Sequence, residues 1–404
     1  MVKHTRDIAV IAGLVYFVQG ALGISGIALP LYLRALKWSV SDITTISSLA
    51  AIPWVLKILY GLLSDSLPIG GFRRKPYLII CSIISVLGWF ALVLLPTEKA
   101  MVLIALLLAN LGFAATDVIT DGLIVEHSTE FTSPIYQGIA WGSRSFGALI
   151  SGFTGGWLAA HWQPREIFMI TMVLPLAVTG AALWIKEKRV VKSPFGTALA
   201  PIRTCLALVM TRNIRLFIII LIVASISSSF GMPFFFHLKE TLGFRETFLG
   251  LLSSIGWSGA MAGSLIYVRW LRKISPKITL RWAMLINSLN ILSTLLIIDQ
   301  RSAIVLVVIG GVMGCLTILP IMSSAAALTH HSGVEGTLFA VLMSIFNLGQ
   351  ISFGYLGGHI YTAIGLPLLI WCTGVIALSG IIFVNRLDFS EPPAAFSASK
   401  APNV

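Results

Sequence analysis

The chain has 404 residues, 57% of them hydrophobic and 11% charged, with a formal net charge of +12 and a mean hydropathy of +0.92. So little charge cannot clothe a water-soluble surface, which excludes a soluble enzyme or binding module and marks an integral membrane protein. Of the 28 Lys and Arg, seven (Arg34, Lys37, Lys99, Arg165, Lys239, Arg245, Arg301) fall on one side of the expected bilayer, Lys57 and Arg144 lie within apolar stretches, and the remaining 19 gather on the other side. By the positive-inside rule that second side is the cytoplasm, and both termini are expected there. The basic excess is then orientation and contact with anionic lipid, and no nucleic-acid partner is expected.

Apolar runs of about 20 residues predict transmembrane helices. Twelve are expected, at 8–34, 42–64, 76–96, 100–126, 134–160, 166–186, 215–238, 246–269, 278–298, 302–328, 334–361 and 366–386, giving an all-α membrane protein. Few residues precede span 1, and that span is longer than a signal-peptide core, so no cleavable targeting segment is expected. A bacterial-type inner membrane is the expected location, with an organellar membrane as the other reading. Span 2 contains Trp54 and Lys57 and runs into Asp65, and the loop after it carries Arg73 and Arg74. Span 4 reads NLGFAATDVITDGLIVEHS, in which Asn110, Ala114, Asp117 and Asp121 share one helical stripe and Glu126 stands at the end. Span 5 sets Gln137, Trp141, Arg144 and Ala148 on a comparable stripe, and span 11 offers Asn347 and Gln350 as cavity hydrogen-bonders.

A repeat runs through these elements at an offset of about 203 residues. Pro30 in ALPLYLRAL aligns with Pro233 in GMPFFFHLK, Trp54 with Trp257, and Gly147, Gly152, Gly155 and Gly156 with Gly349, Gly354, Gly357 and Gly358 to within one position. Six spans in each half make the repeat parallel about an axis along the membrane normal, the two-lobed major facilitator architecture. Residues 1–187 are the first lobe, 188–213 a basic, proline-containing cytoplasmic connector, 214–387 the second lobe and 388–404 a disordered cytoplasmic tail. The glycine stripe of span 5 is read as close helix packing through small residues.

Charge at membrane depth is costly and usually lines a substrate or ion path. Counted from the short loop between spans 4 and 5, Asp117 and Arg144 each sit about 15 Å into the bilayer, and Lys57 comes out at nearly the same level. The purely structural reading is an ion-pair network locking spans 2, 4 and 5 together. Against it, the offset carries Lys57, Asp121 and Arg144 onto Ala260, Ser324 and Asn347, so the second half does without these charges. The expected substrate-binding set is Lys57, Asp117, Asp121, Arg144, Trp54, Trp141, Asn110, Asn347 and Gln350, with Asp117, Asp121 and Glu126 as proton carriers. Tyr16, Phe113, Trp257 and Phe346 offer ring faces, and Gln19 a further amide. His127, His330 and His331 read as solvated loop-edge groups. Cys81, Cys205, Cys315 and Cys372 are scattered without a CxxC, no histidine spacing suits a metal and no nucleotide-binding glycine motif occurs, so neither cofactor nor metal is expected.

The stretch Lys57 to Tyr77, KILYGLLSDSLPIGGFRRKPY, resembles the signature of the folate–biopterin transporter family of the major facilitators, matching at Lys57, Tyr60, Gly61, Ser64, Asp65, Pro68, Gly71, Phe72, Arg73, Arg74, Pro76 and Tyr77. TDVITDGLIVE and AWGSRSFGALISG resemble that family's span 4 and span 5 motifs, and Ile58 departs from it where a proline is usual. The resemblance implies a secondary transporter, expected to be proton-coupled and monomeric, for folate- or pterin-like small molecules. Asp117 or Asp121 would accept from a pterin's 2-amino-4-oxo edge, and Arg144 and Lys57 would seek glutamate carboxylates. Asp65, Arg73 and Arg74 resemble the facilitator gating loop, with Asp65 approaching the N-terminus of span 11. The alternatives are another anionic conjugate such as a muropeptide, or a non-transporting membrane scaffold or sensor.

Overall fold

The computed structural model describes residues 3–127, 133–185, 187, 189, 204–329 and 334–389, nearly all of them helical. Among these residues, nine stretches are long and apolar enough to cross a membrane: Ile8–Ala35, Val40–Ser66, Lys75–Val93, Lys99–Ile124, Pro164–Trp184, Arg212–Thr241, Glu246–Trp270, Gln300–Thr329 and Thr337–Arg386. Two further long helices, Ser133–His161 and Pro276–Ser293, stand where spans 5 and 9 are predicted. The last stretch is two helices in sequence. Gly365 adopts φ 74°, a left-handed conformation that only glycine reaches without strain, and Pro367 starts the chain on a new axis. The connector expected at 188–213 lies mostly outside the described residues, as do 390–404, His330 and His331 and the side chains of His127 and Gln137.

Three predicted spans are segmented. Span 1 passes from the Lys3–Ala21 helix through a 3-10 turn at Leu22–Ser25 into the Ala28–Ala35 helix. Span 7 breaks in the same register, through Ser225–Phe230 into Gly231–Phe236, so the repeat extends to the irregularities that Gly and Pro impose. Span 2 breaks between Val40–Ala50 and Lys57–Ser66, with Pro53 in the 3-10 turn between them. The equivalent helix Glu246–Trp270 is unbroken, because Gly256 stands at the position of Pro53.

Each half of the chain has its own core. Val15, Phe113, Ile119, Tyr136 and Val178 pack together in the first, and Phe217, Leu280, Met284, Ile321 and Leu342 in the second. A third cluster joins the halves, with Phe236 seated among Leu33, Trp38, Trp89 and Phe168. Leu265, Val305 and Trp371 stand outward, as side chains facing lipid do.

Contacts between the halves concentrate at one end. Gly152 and Gly156 meet Ser254 and Gly250 with no room for a side chain, and Gly354 and Gly358 meet Ser48 and Thr44 in the equivalent way. The glycine stripe therefore does pack helices closely, including across the two halves. At the same end Arg34 grips Glu240 with two hydrogen bonds of 2.6 and 3.0 Å, and His359 bridges Ser41 and Thr45 at 3.0 and 3.2 Å. The Arg34–Glu240 pair is over a third exposed, so it contributes at most about 1 kcal/mol to this closure, and the glycine seams dominate. Toward the opposite end the halves part. Gly138 and Gly142 face open space, and Leu59, Leu63 and Trp141 are exposed.

Candidate functional site

The break at Pro53 sets the geometry of the site. After the 3-10 turn Ile52–Trp54 the chain restarts as a helix at Lys57, which brings the Trp54 ring and the Lys57 side chain to the unbroken Lys99–His127 helix. Lys57 Nζ donates to Asp117 Oδ2 at 2.7 Å and lies 5.1 Å from the centre of the Trp54 ring. Gln19 Nε2 donates to the other Asp117 oxygen at 3.2 Å, and the Tyr16 hydroxyl donates to Asp121. Asp117 is almost wholly buried, at 4% side-chain exposure, whereas Lys57 keeps 28%. An ion pair with one partner sealed and the other reachable can open only from the lysine side. The Gln19 amide oxygen is buried beside the pair with no protein partner among the described residues.

Arg144 comes close to the same cluster, its charge acting on the Tyr16 hydroxyl alongside those of Asp117 and Asp121, but it pairs with neither carboxylate. Its guanidinium lies 5.0 Å from the centre of the Trp141 ring, and it forms no ion pair among the described residues. The residue is half-buried on the Ser133–His161 helix, a cation with no carboxylate partner among the described residues. A stacked, unpaired guanidinium is a ready receptor for an anionic group. Asn110 is taken up by structure. It accepts from Trp54 Nε1 at 2.8 Å and donates to Leu106 O at 2.9 Å, so it holds the indole in place. Asn347 reaches across from the second half to Trp54 O at 3.3 Å, and Gln350 lines a separate cavity with Asn287 and Asn290.

Glu126 does not join Asp117 and Asp121. It lies nine residues beyond Asp117, about 13 Å along the helix, and receives Arg74 Nη2 at 2.6 Å and Nε at 3.1 Å. Arg74 is 5% exposed and also reaches Asp65 at 2.7 Å and Ser64 Oγ at 2.8 Å. Asp65 is thus engaged within its own half, by Arg74. Arg73 contributes its backbone. The N–H groups of Arg73, Arg74 and Lys75 all donate to the Glu187 carboxylate at 2.7–2.9 Å, an acid placed on the N-terminus of the Lys75–Val93 helix.

Sequence reasoning missed Glu187, Ser64, the Arg34–Glu240 pair and His359. One signal was present: Arg34 and Glu240 are opposite charges near the ends of repeat-related spans, where a pseudo-twofold brings equivalent ends together.

Residues 19–385 match the BT1 family. The chain belongs to that family. The folate–biopterin transporter of Synechocystis sp. is 28% identical over 412 residues, covering 96% of this chain and 83% of that protein. Probable folate-biopterin transporter 4 of Arabidopsis thaliana is 25% identical, covering 87% and 88%. Among solved structures, the nucleoside transporter NupG superposes with a TM-score of 0.76 at 15% identity over 94% of this chain and 98% of its own. A D-xylose-proton symporter superposes at 0.73 and 14% identity, over 95% and 98%. These likenesses show the major facilitator fold. This member of the BT1 family is accordingly a multi-pass membrane transporter, not an enzyme.

Proposed function

We propose that the chain is a proton-coupled secondary transporter of folate- or pterin-like solutes, working by alternating access in a cell's inner membrane. Twelve helices form lobes at 1–187 and 214–387, joined by a cytoplasmic connector at 188–213 and followed by a tail at 388–404, with both termini cytoplasmic. In that orientation the closed Arg34 end faces outward and the structure is inward-facing. It acts as a monomer. The observation that carries the reading is the pairing of a sealed Asp117 with a reachable Lys57, beside an Arg144 that has no acid partner among the described residues. An anionic solute fits Arg144. A proton taken by Asp117 or Asp121 would free Lys57 to join it, which links the two cargoes. The relatives' names support folate or biopterin as the solute class.

The test is uptake of labelled folate into proteoliposomes. Wild-type protein is expected to take it up, and Arg144→Ala to lower uptake about 100-fold, the cost of removing the charged partner of a carboxylate. Uptake by Arg144→Ala equal to wild type would refute this residue's role. Wild-type uptake no greater than that of empty vesicles would refute the substrate class.

A further inference from the structure

The second half holds a half-open cavity of about 250 Å³ among its own helices, and its polar lining is uncharged: Ser227, Asn287, Asn290, Thr294, Thr317 and Gln350, with Phe346 beside them. Counted along their helices, most of these residues lie near mid-height, the level of Asp117. Asn287 gives one hydrogen to Ala224 O at 3.4 Å. The side-chain amides of Asn290 and Gln350 have no hydrogen-bond partner among the described residues and line the open space, the Asn290 oxygen lying against Gly310. The repeat does not require this space. In the first half the equivalent helices close through Gly88 and Gly112, which sit against the backbones of Ala109 and Ser85.

We propose that this cavity is the subsite for the uncharged heterocycle of the cargo, a planar ring carrying a lactam edge such as the aminopyrimidinone of a pterin. The inference rests on the folate- or pterin-transporter reading. A side-chain amide presents a donor and an acceptor side by side, and so does a lactam, so the two pair through parallel hydrogen bonds. Phe346 offers a face for the ring. No ionised group lines the space, so a neutral ring enters without displacing the water shell of a charge. Whole drug-sized ligands occupy about 300–1,000 Å³. A cavity of about 250 Å³ therefore takes the ring and leaves the charged end of a folate outside it, for Arg144 in the other half. The ring is thereby moved from Asp117 and Asp121, whose oxygens already receive Lys57, Gln19 and Tyr16. Such a cargo touches both halves at once, which is what lets it drive their rocking.

The test measures binding of pterin, folate and p-aminobenzoyl-glutamate to the purified full-length protein. Asn290→Leu and Gln350→Leu are expected to weaken pterin and folate about tenfold each and to leave p-aminobenzoyl-glutamate unchanged. Gly314→Leu is a second, independent variant. A Cβ there meets nothing within 4 Å and points a leucine into the cavity that Gly314 lines, and leucine favours the helix. It should likewise weaken pterin and folate and leave p-aminobenzoyl-glutamate unchanged. Wild-type affinity for pterin in all three variants, with folate bound by the wild type, would overturn this inference and leave the transport reading standing. So would equal loss of p-aminobenzoyl-glutamate. A wild-type protein that binds none of the three probes would overturn both.

Discussion

Asp117→Asn is expected to abolish uptake, by about 100-fold or more, and to lower the thermal stability of the purified protein. Removing one partner of a buried ion pair leaves the other uncompensated and typically costs about 3–5 kcal/mol. Lys57 is partly reachable by water, so the lower end of that range applies, and about 3 kcal/mol corresponds to roughly 100-fold. The double variant Lys57→Met with Asp117→Leu separates the two roles the pair could have. Replacing both charges by apolar groups of similar volume is often neutral for stability, so the melting temperature should recover. Uptake should stay lost, because no Lys57–Asp117 pair remains for a proton to open and Lys57 can no longer join Arg144 on the cargo. Recovery of uptake together with stability would show that the pair only fastens the Lys57–Ser66 helix to the Lys99–His127 helix.

Gly156→Leu is expected to block transport as fully, for a different reason. An added Cβ at Gly156 falls 2.6 Å from both Glu246 O and Gly250 Cα, which are backbone atoms and cannot rotate away. The Arg34 end then cannot close as it does here. The protein should still insert and fold, since Gly156 meets the other half rather than its own core, but it should rest with that end open. Cysteines placed along the Ser133–His161 helix on the Arg34 side would gain reactivity toward a membrane-impermeant thiol reagent applied from outside. Unchanged reactivity and wild-type uptake would mean that this seam does not close during the cycle.

Much of this site was legible in the sequence because a bilayer makes charge conspicuous. Lys57, Asp117 and Arg144 stand out by depth, and a rise of 1.5 Å per residue places Lys57 and Asp117 level with each other, where the structure joins them. The same arithmetic puts Glu126 at the helix end, and grouping it with Asp117 let shared charge outweigh distance. Arg144 could be set at the right height but not given a partner, since which way a guanidinium turns depends on Trp141 one turn away. Asn110 looked like a free hydrogen-bonder and is instead consumed by Trp54, a contact between helices that no periodicity encodes. The repeat announced the two-part architecture, but not the shared breaks at Leu22–Ser25 and Ser225–Phe230, which interrupt spans read as continuous. It said nothing of the amide-lined cavity, because a cavity is what neighbouring side chains fail to fill. The last two predicted spans merge at Gly365 for a related reason: one residue with positive φ turns the chain without the polar loop that marks a boundary.

The most direct measurement is accumulation of labelled folate in proteoliposomes under an imposed proton gradient, acidic outside, with and without a protonophore. The account predicts accumulation above the external concentration that collapses to equilibrium when the protonophore is added and is absent in Asp117→Asn. Folate that only equilibrates, with the same time course whether or not the gradient is present, would contradict it.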